Sequence, residues 1–164
     1  MRKFLFPLAI AVIVSAGTAV FAANDTKTVT VSATVAATAK LTLSSLTVSF
    51  PDADPDTTAS ISATAIDVTA KGKTSAAGSV TLTVLATGDL KSGATDTIGI
   101  ANVTWTATGA GFVSGTLNKT VAQSLGAWTS SGSRTGQQTY KLANSWSYAT
   151  GSYSTSVTYT LTAP

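Results

Sequence analysis

Hydrophobic and polar residues alternate along much of the chain, which is the period of a β-strand rather than of an α-helix. The clearest central run places Val80, Leu82, Val84 and Ala86 on one face. Turn-forming Gly, Ser, Asp and Pro separate such runs, and no stretch has a convincing helical period. The pattern therefore predicts an all-β fold, a two-sheet sandwich of eight to ten short antiparallel strands.

The alternation is most regular in Thr28–Ala37. Its apolar face consists of Val29, Val31, Ala33 and Val35, and hydroxyl side chains occupy most of the positions between them. A strand with one apolar face needs a sheet to cover that face. The pattern predicts a strand here, and it leaves open whether the covering sheet belongs to the same chain or to a neighbouring copy.

The apolar phase changes within one run further along the chain. Ile61, Ala63 and Ala65 share one phase, whereas Ile66 and the alternate residues after it share the other. A change of phase within a run predicts either a β-bulge or a strand that crosses between two sheets.

Two weaker patterns follow the glycines at 109 and 111. Phe112–Thr120 and Val121–Trp128 are read as a hairpin around Asn118 and Lys119. Thr129–Gly136 is rich in Ser and Gly and has no apolar anchor, so it is predicted to be a loop. The final strand is predicted to place Tyr153, Thr155, Val157, Tyr159 and Leu161 on one face.

The first residues have the pattern of a signal peptide. Met1–Lys3 is basic, Phe4–Val14 is apolar apart from a proline, and Val20–Ala22 ends on small residues. We expect residues 1–22 to be cleaved, with cleavage after Ala19 as the less favoured alternative. An uncleaved anchor is disfavoured because the apolar run is short for a bilayer. The mature chain 23–164 is then expected to be a single domain that crosses the periplasm, is secreted and contains no transmembrane helix.

Composition narrows the functional classes. The mature chain carries eight basic and seven acidic side chains, with Arg134 as its one arginine, so no basic cluster points to nucleic acid. The sequence contains no Cys, no His and no Glu. Most acid–base and metal-site chemistry uses these residues, so we expect no catalytic site and no enzymatic activity.

One candidate metal site lies in the loop that contains Pro51 and Pro55. Asp52, Asp54 and Asp56 have the alternate spacing that lets carboxylates converge on Ca²⁺. The motif lacks the glycine and the distal glutamate of an EF-hand loop. The alternative interpretation is a solvated turn.

The tryptophans offer a second candidate site. Trp105 is in phase with Val103 and is predicted to be in the core. Trp128 and Trp146 flank loops and are predicted to be the more exposed pair, which could stack on sugar rings. A secreted carbohydrate-binding module is therefore the alternative function.

The chain resembles the secreted pilins of chaperone–usher systems, including the spore-coat-protein-U-like group. The resemblance rests on the leader, on the Val29–Val35 segment, and on Gly151–Tyr153 leading into Val157–Leu161. It implies an incomplete immunoglobulin-like β-sandwich whose groove receives the N-terminal strand of another subunit. It also implies that the partners are copies of the chain, a periplasmic chaperone and an outer-membrane usher. The absence of a Cys pair departs from many members of the family.

These observations lead to one functional expectation. The protein is expected to be a structural subunit of an extracellular fibre or surface layer. It would assemble by adding Val29, Val31, Ala33 and Val35 to a neighbouring subunit as a β-strand.

Overall fold

The structure, a computed structural model, describes residues 23–164, so the predicted signal peptide at 1–22 lies outside it. The chain divides into two units, Met1–Ala33 and Thr34–Pro164. The described part of the first unit, residues 23–33, contains no strand, and its residues are exposed. All the strands described below belong to the second unit.

The second unit is all-β, with antiparallel pairing throughout its sheets, as predicted. The sequence predicted eight to ten strands. More occur because several strands are only two or three residues long. Eleven strands occur within residues 23–164: β1 (Thr38–Leu43), β2 (Ser60–Ser62), β3 (Ile66–Lys73), β4 (Ser79–Ala86), β5 (Leu90–Ser92), β6 (Asp96–Ile98), β7 (Val103–Thr108), β8 (Gly115–Thr116), β9 (Gln123–Thr129), β10 (Gly132–Ala143) and β11 (Val157–Thr162). The one helical element in that range is a 3₁₀ turn at Ile100–Asn102. Within residues 23–164 the structure has no helix long and apolar enough to span a membrane.

The strands form two main sheets and a small hairpin. The larger sheet has the order β1-β3-β10-β7-β8, with β2 also paired to β10, and the smaller sheet has the order β11-β4-β9. The hairpin is β5-β6. Side chains from both main sheets contribute to one hydrophobic core, an arrangement consistent with a β-sandwich.

Strand β4 lies at the centre of the smaller sheet. Its alternate residues Val80, Leu82, Val84 and Ala86 are at most 1% exposed, which confirms the sequence prediction. Trp105 of β7 is 1% exposed and donates its indole N–H to the carbonyl oxygen of Val113 at 2.8 Å, so it is a core residue as predicted.

The change of phase between residues 61 and 66 corresponds to a β-bulge. Both β2 and β3 pair with β10, with Ser62 opposite Lys141 and Ile66 opposite Gln138. Four steps along one strand therefore match three along the other, which leaves one extra residue between Ser62 and Ile66. That residue changes the parity, and so Ile61 and Ile66 are both buried.

Two predictions for the region after Gly111 were wrong. The expected hairpin does not form, because β8 pairs with β7 in the larger sheet and β9 pairs with β4 in the smaller one. The expected loop Thr129–Gly136 is mostly strand, with only Ser130 and Ser131 between β9 and β10. Gly136 explains the missing apolar anchor, because a side chain there would collide with Phe112 and the carbonyl of Thr108.

Replacing Leu82 by Ala should lower the free energy of unfolding by about 2–5 kcal/mol, since the side chain is fully buried between the sheets. The matched control is Leu46→Ala, because Leu46 is 90% exposed and the same truncation should change stability by less than about 0.5 kcal/mol. Urea denaturation of both variants measures the difference. Equal losses in the two variants would contradict the assignment of the core.

Candidate functional site

The segment Thr28–Ala37 is exposed and belongs to no strand. Among the described residues no strand precedes Thr38, so the strand prediction for Thr28–Ala37 is wrong for the single chain. Val29, Val31 and Val35 are 81%, 90% and 74% exposed, and Ala33 is exposed as well. A row of apolar side chains at strand spacing therefore stands in solvent.

The second feature is the side of the sandwich where the edge strands of the two sheets meet and their apolar side chains are only half-buried, which we call the β1–β11 opening. β1 pairs with β3 and is an edge of the larger sheet, and β11 pairs with β4 and is an edge of the smaller sheet. The two edge strands contact each other. The opening is lined by half-buried apolar side chains of these strands: Leu41, Leu43, Val157, Tyr159 and Leu161.

The register of β11 on β4 shows how the burial of side chains decreases toward the edge of the smaller sheet. Tyr159 lies opposite Val84, and Leu161 lies opposite Leu82. The two β4 residues are fully buried, whereas their β11 neighbours on the same face are only half-buried. The inner face of the smaller sheet is therefore less completely buried at β11 than at β4.

A chain of hydrogen bonds crosses the sandwich beside this opening. The Tyr159 hydroxyl donates to Oε1 of Gln138 at 2.6 Å, and the hydroxyls of Tyr140 and Tyr159 lie 2.8 Å apart. Burial raises the pKa of both tyrosine hydroxyls, and for Tyr159 the neighbouring Tyr140 raises the pKa further. Both are therefore neutral at physiological pH and act as hydrogen-bond groups.

Gln138 is an unusual member of that chain. It is fully buried, and its Nε2 has no hydrogen-bond partner among the described residues. An unpaired buried donor is destabilising. The hydrogen bond from Tyr159 to Oε1 is therefore the side-chain bond that offsets the cost of burying this amide.

The three aspartates of the proposed calcium site do not form a metal-binding group. No set of three or more His, Cys, Asp or Glu residues within the described chain is placed to hold a metal ion. Asp54 instead accepts the backbone N–H of Asp56 at 2.9 Å, and Asp56 accepts the indole N–H of Trp146 at 2.9 Å. The geometry gives no support to a calcium site at Asp52, Asp54 and Asp56.

The two candidate platform tryptophans have opposite environments. Trp128 is only 8% exposed, so the prediction that it is accessible was wrong. It belongs to β9, where it is buried like Leu125 of the same strand, and the guanidinium of Arg134 lies 6.0 Å from its ring centre. Trp146 is 70% exposed, as predicted. The structure therefore does not provide a platform made from both residues.

An ion pair that the sequence did not reveal lines a cavity of about 350 Å³ on the second unit. Asp89 accepts a hydrogen bond from the Lys119 ammonium and another from the backbone N–H of Ile100. The bond from Lys119, followed by the bond from Ile100, holds the pKa of the Asp89 carboxyl below its usual range. Both groups are used to tie the 3₁₀ turn to the loop after β8, and the lining of this cavity contains no second carboxylate.

No family model, no curated protein and no solved structure matches the chain.

Replacing Tyr159 by Phe should lower the free energy of unfolding by about 1–3 kcal/mol near neutral pH, because it leaves the buried amide of Gln138 without its bond. The matched control is Tyr153→Phe, which removes one hydroxyl bonded to the exposed carbonyl of Ala149 and should cost less. Denaturant titration of both variants provides the comparison. Equal costs would contradict a special role for the buried chain.

The same chain predicts a dependence on alkaline pH. Since the folded-state pKa of Tyr140 and Tyr159 lies above the unfolded value of 10.0, folding retains protons that the unfolded chain releases. Their contribution to stability is complete below about pH 10 and is lost as the pH rises beyond it. The free energy of unfolding of the wild type should fall more steeply above pH 10 than that of Tyr159→Phe. Parallel profiles would count against the raised pKa.

Proposed function

We propose that the protein is a secreted structural subunit that assembles with copies of itself. The segment Thr28–Ala37 of one subunit pairs as an added strand with the exposed edge of β11 in the next. The product is an extracellular fibre or a surface layer, and the chain has no enzymatic activity. The exposed alternation of Val29, Val31, Ala33 and Val35 is the observation that carries this proposal.

The chemistry of the segment supports strand addition. Each valine exposes a side chain whose burial stabilises an association by roughly 1.5–3 kcal/mol. Alternate spacing directs these side chains to one face, and hydroxyl residues such as Thr30 stay on the other. An unpaired strand of this type is an aggregation hazard unless it has a partner.

The length of β11 also supports the addition of a strand there. β11 contains six residues, which corresponds to roughly 20 Å, and the seven residues from Val29 to Val35 span about the same length. An added strand would continue the order β11-β4-β9 by one strand and would place apolar side chains beside Tyr159 and Leu161. Main-chain hydrogen bonds would supply affinity and the alternate side chains specificity.

The same proposal implies further partners. A subunit that exports an unpaired apolar segment and an open sheet edge needs protection before it assembles. We assign that role to a periplasmic chaperone, with an outer-membrane usher as the assembly platform, following the resemblance to chaperone–usher pilins. The immunoglobulin-like character of the sandwich belongs to the same resemblance.

The experiment compares Val31→Asp with Thr30→Asp in the mature chain. Both add one charge to the exposed segment, but only the first places it on the apolar face, where an unpaired buried charge costs several kcal/mol. We expect both variants to fold with unchanged melting temperatures, and only Val31→Asp to lose polymers in sedimentation and electron microscopy. Wild-type protein that remains monomeric at high concentration would overturn the proposal.

A peptide experiment tests the site of addition. A chain that begins at Thr38 retains all eleven strands, and a synthetic peptide of residues 28–37 should bind to it and raise its melting temperature with peptide concentration. A peptide carrying Asp at position 31 is the control and should have no effect. Leu161→Asp in the receiving chain should weaken binding, since Leu161 lines the β1–β11 opening. Equal stabilisation by both peptides would show that binding does not depend on the apolar face of the peptide.

A further inference from the structure

The loop that contains Asp54 and Asp56 is joined to the loop after β10. Asn144 donates through Nδ2 to the carbonyl oxygens of Ala53 and Thr58, at 2.9 and 3.0 Å, and its backbone N–H donates to Ala59 at 2.9 Å. One side chain therefore clamps both ends of the aspartate loop. The loop is further closed by Asp54, whose backbone carbonyl accepts the N–H groups of residues 57 and 58.

Trp146 is held at the junction of these two loops. Its indole N–H donates to Oδ1 of Asp56 at 2.9 Å, and the ring is nevertheless 70% exposed. Asn144 also binds the residue next to Trp146, because the backbone N–H of Ser145 donates to Oδ1 of Asn144 at 3.1 Å. The indole is thus fixed through its polar edge, while its apolar surface faces solvent.

We propose that Trp146 and Asp56 form a binding site for a neutral sugar ring. The C–H face of a pyranose packs on an exposed indole, and a ring that is already fixed loses little conformational entropy when it binds. The Asp56 carboxylate has lone pairs beyond the one that the indole uses, so it can accept a sugar hydroxyl.

Charge limits the class of sugar. The segment from Pro51 to Ala59 contains three carboxylates and neither Lys nor Arg. Acidic glycans would be repelled there, whereas neutral rings offer hydroxyl donors that match the carboxylate acceptors. The site differs from the two-tryptophan platform, since Trp128 is buried and takes no part in it.

The proposal does not rest on assembly. The site uses residues of the β10–β11 connection and of the loop before β2, and none of the residues that line the β1–β11 opening. In a polymer it would be repeated once per subunit, so weak single sites would add up to strong attachment to a polysaccharide.

The test is a fluorescence titration of the mature protein with cellohexaose, chitohexaose and mannohexaose. Trp105 and Trp128 are buried, so a saturable change in emission or in acrylamide quenching reports on Trp146. We expect such a change with at least one of the three oligosaccharides. We also expect Trp146→Ala to raise the Kd, measured by calorimetry, about tenfold or more, with the melting temperature unchanged.

Three variants complete the design. Leu46→Ala also truncates an exposed apolar side chain and should leave the Kd unchanged. Asp56→Asn retains an oxygen for the indole N–H and should bind more tightly than Asp56→Ala, which releases the ring. The proposal is overturned by no saturable response to any of the three sugars, or by sugar binding that survives Trp146→Ala unchanged. Loss of polymers in Trp146→Ala with normal sugar binding would also overturn it, since Trp146 would then be a contact between subunits.

Discussion

The structure depends on a mismatch between its two sheets. The larger sheet has six strands and the smaller one has three, and the apolar residues on the inner face of β11, the edge strand of the smaller sheet, are only half-buried. Val84 and Leu82 are buried, yet Tyr159 and Leu161 beside them on the same face are not. β11 pairs with β4 alone, so its other edge has no strand partner among the described residues. An unpaired sheet edge is protected either by polar residues along it or by the addition of another strand. The apolar side chains of β11 favour the second.

Other parts of the core are closely packed, and this packing stabilises the fold. Glycines allow aromatic rings to lie directly on neighbouring strands, as Gly115 does for Trp105 and Gly136 does for Phe112. The hydrogen bond between Tyr159 and Gln138 joins β11 to β10 and therefore ties the edge strand of one sheet to a central strand of the other. The sequence contains no cysteine, so no disulfide contributes to this packing. The edge strand is thereby kept in place while one of its sides stays open.

Sequence reasoning succeeded where one face of a strand is buried, as in β4, because burial imposes a period of two on the residues. The change of phase between Ile61 and Ile66 predicted either a bulge or a strand crossing between the sheets, and the extra residue found there corresponds to the bulge. Sequence reasoning failed at β10, where Gly132 and Gly136 look like loop residues, although Gly136 allows the strand to pack closely against Phe112. It failed at Trp128 because proximity to a loop says nothing about which face of β9 the ring occupies. The hydrogen bond between Trp146 and Asp56 joins residues 90 positions apart, and no local pattern encodes such a pair.

The direct continuation of the exposed segment into β1 has a mechanical consequence. No linker separates Ala37 from Thr38, the first residue of an edge strand. In the proposed fibre, tension would pass along the covalent backbone from the added strand into the next sandwich. The pull would act along the paired strands, so the hydrogen bonds of the junction would be loaded in parallel rather than opened one after another. A joint in shear fails only when all its bonds break together, whereas a joint that peels fails bond by bond. The junctions of such a polymer would therefore resist stretching without a covalent cross-link.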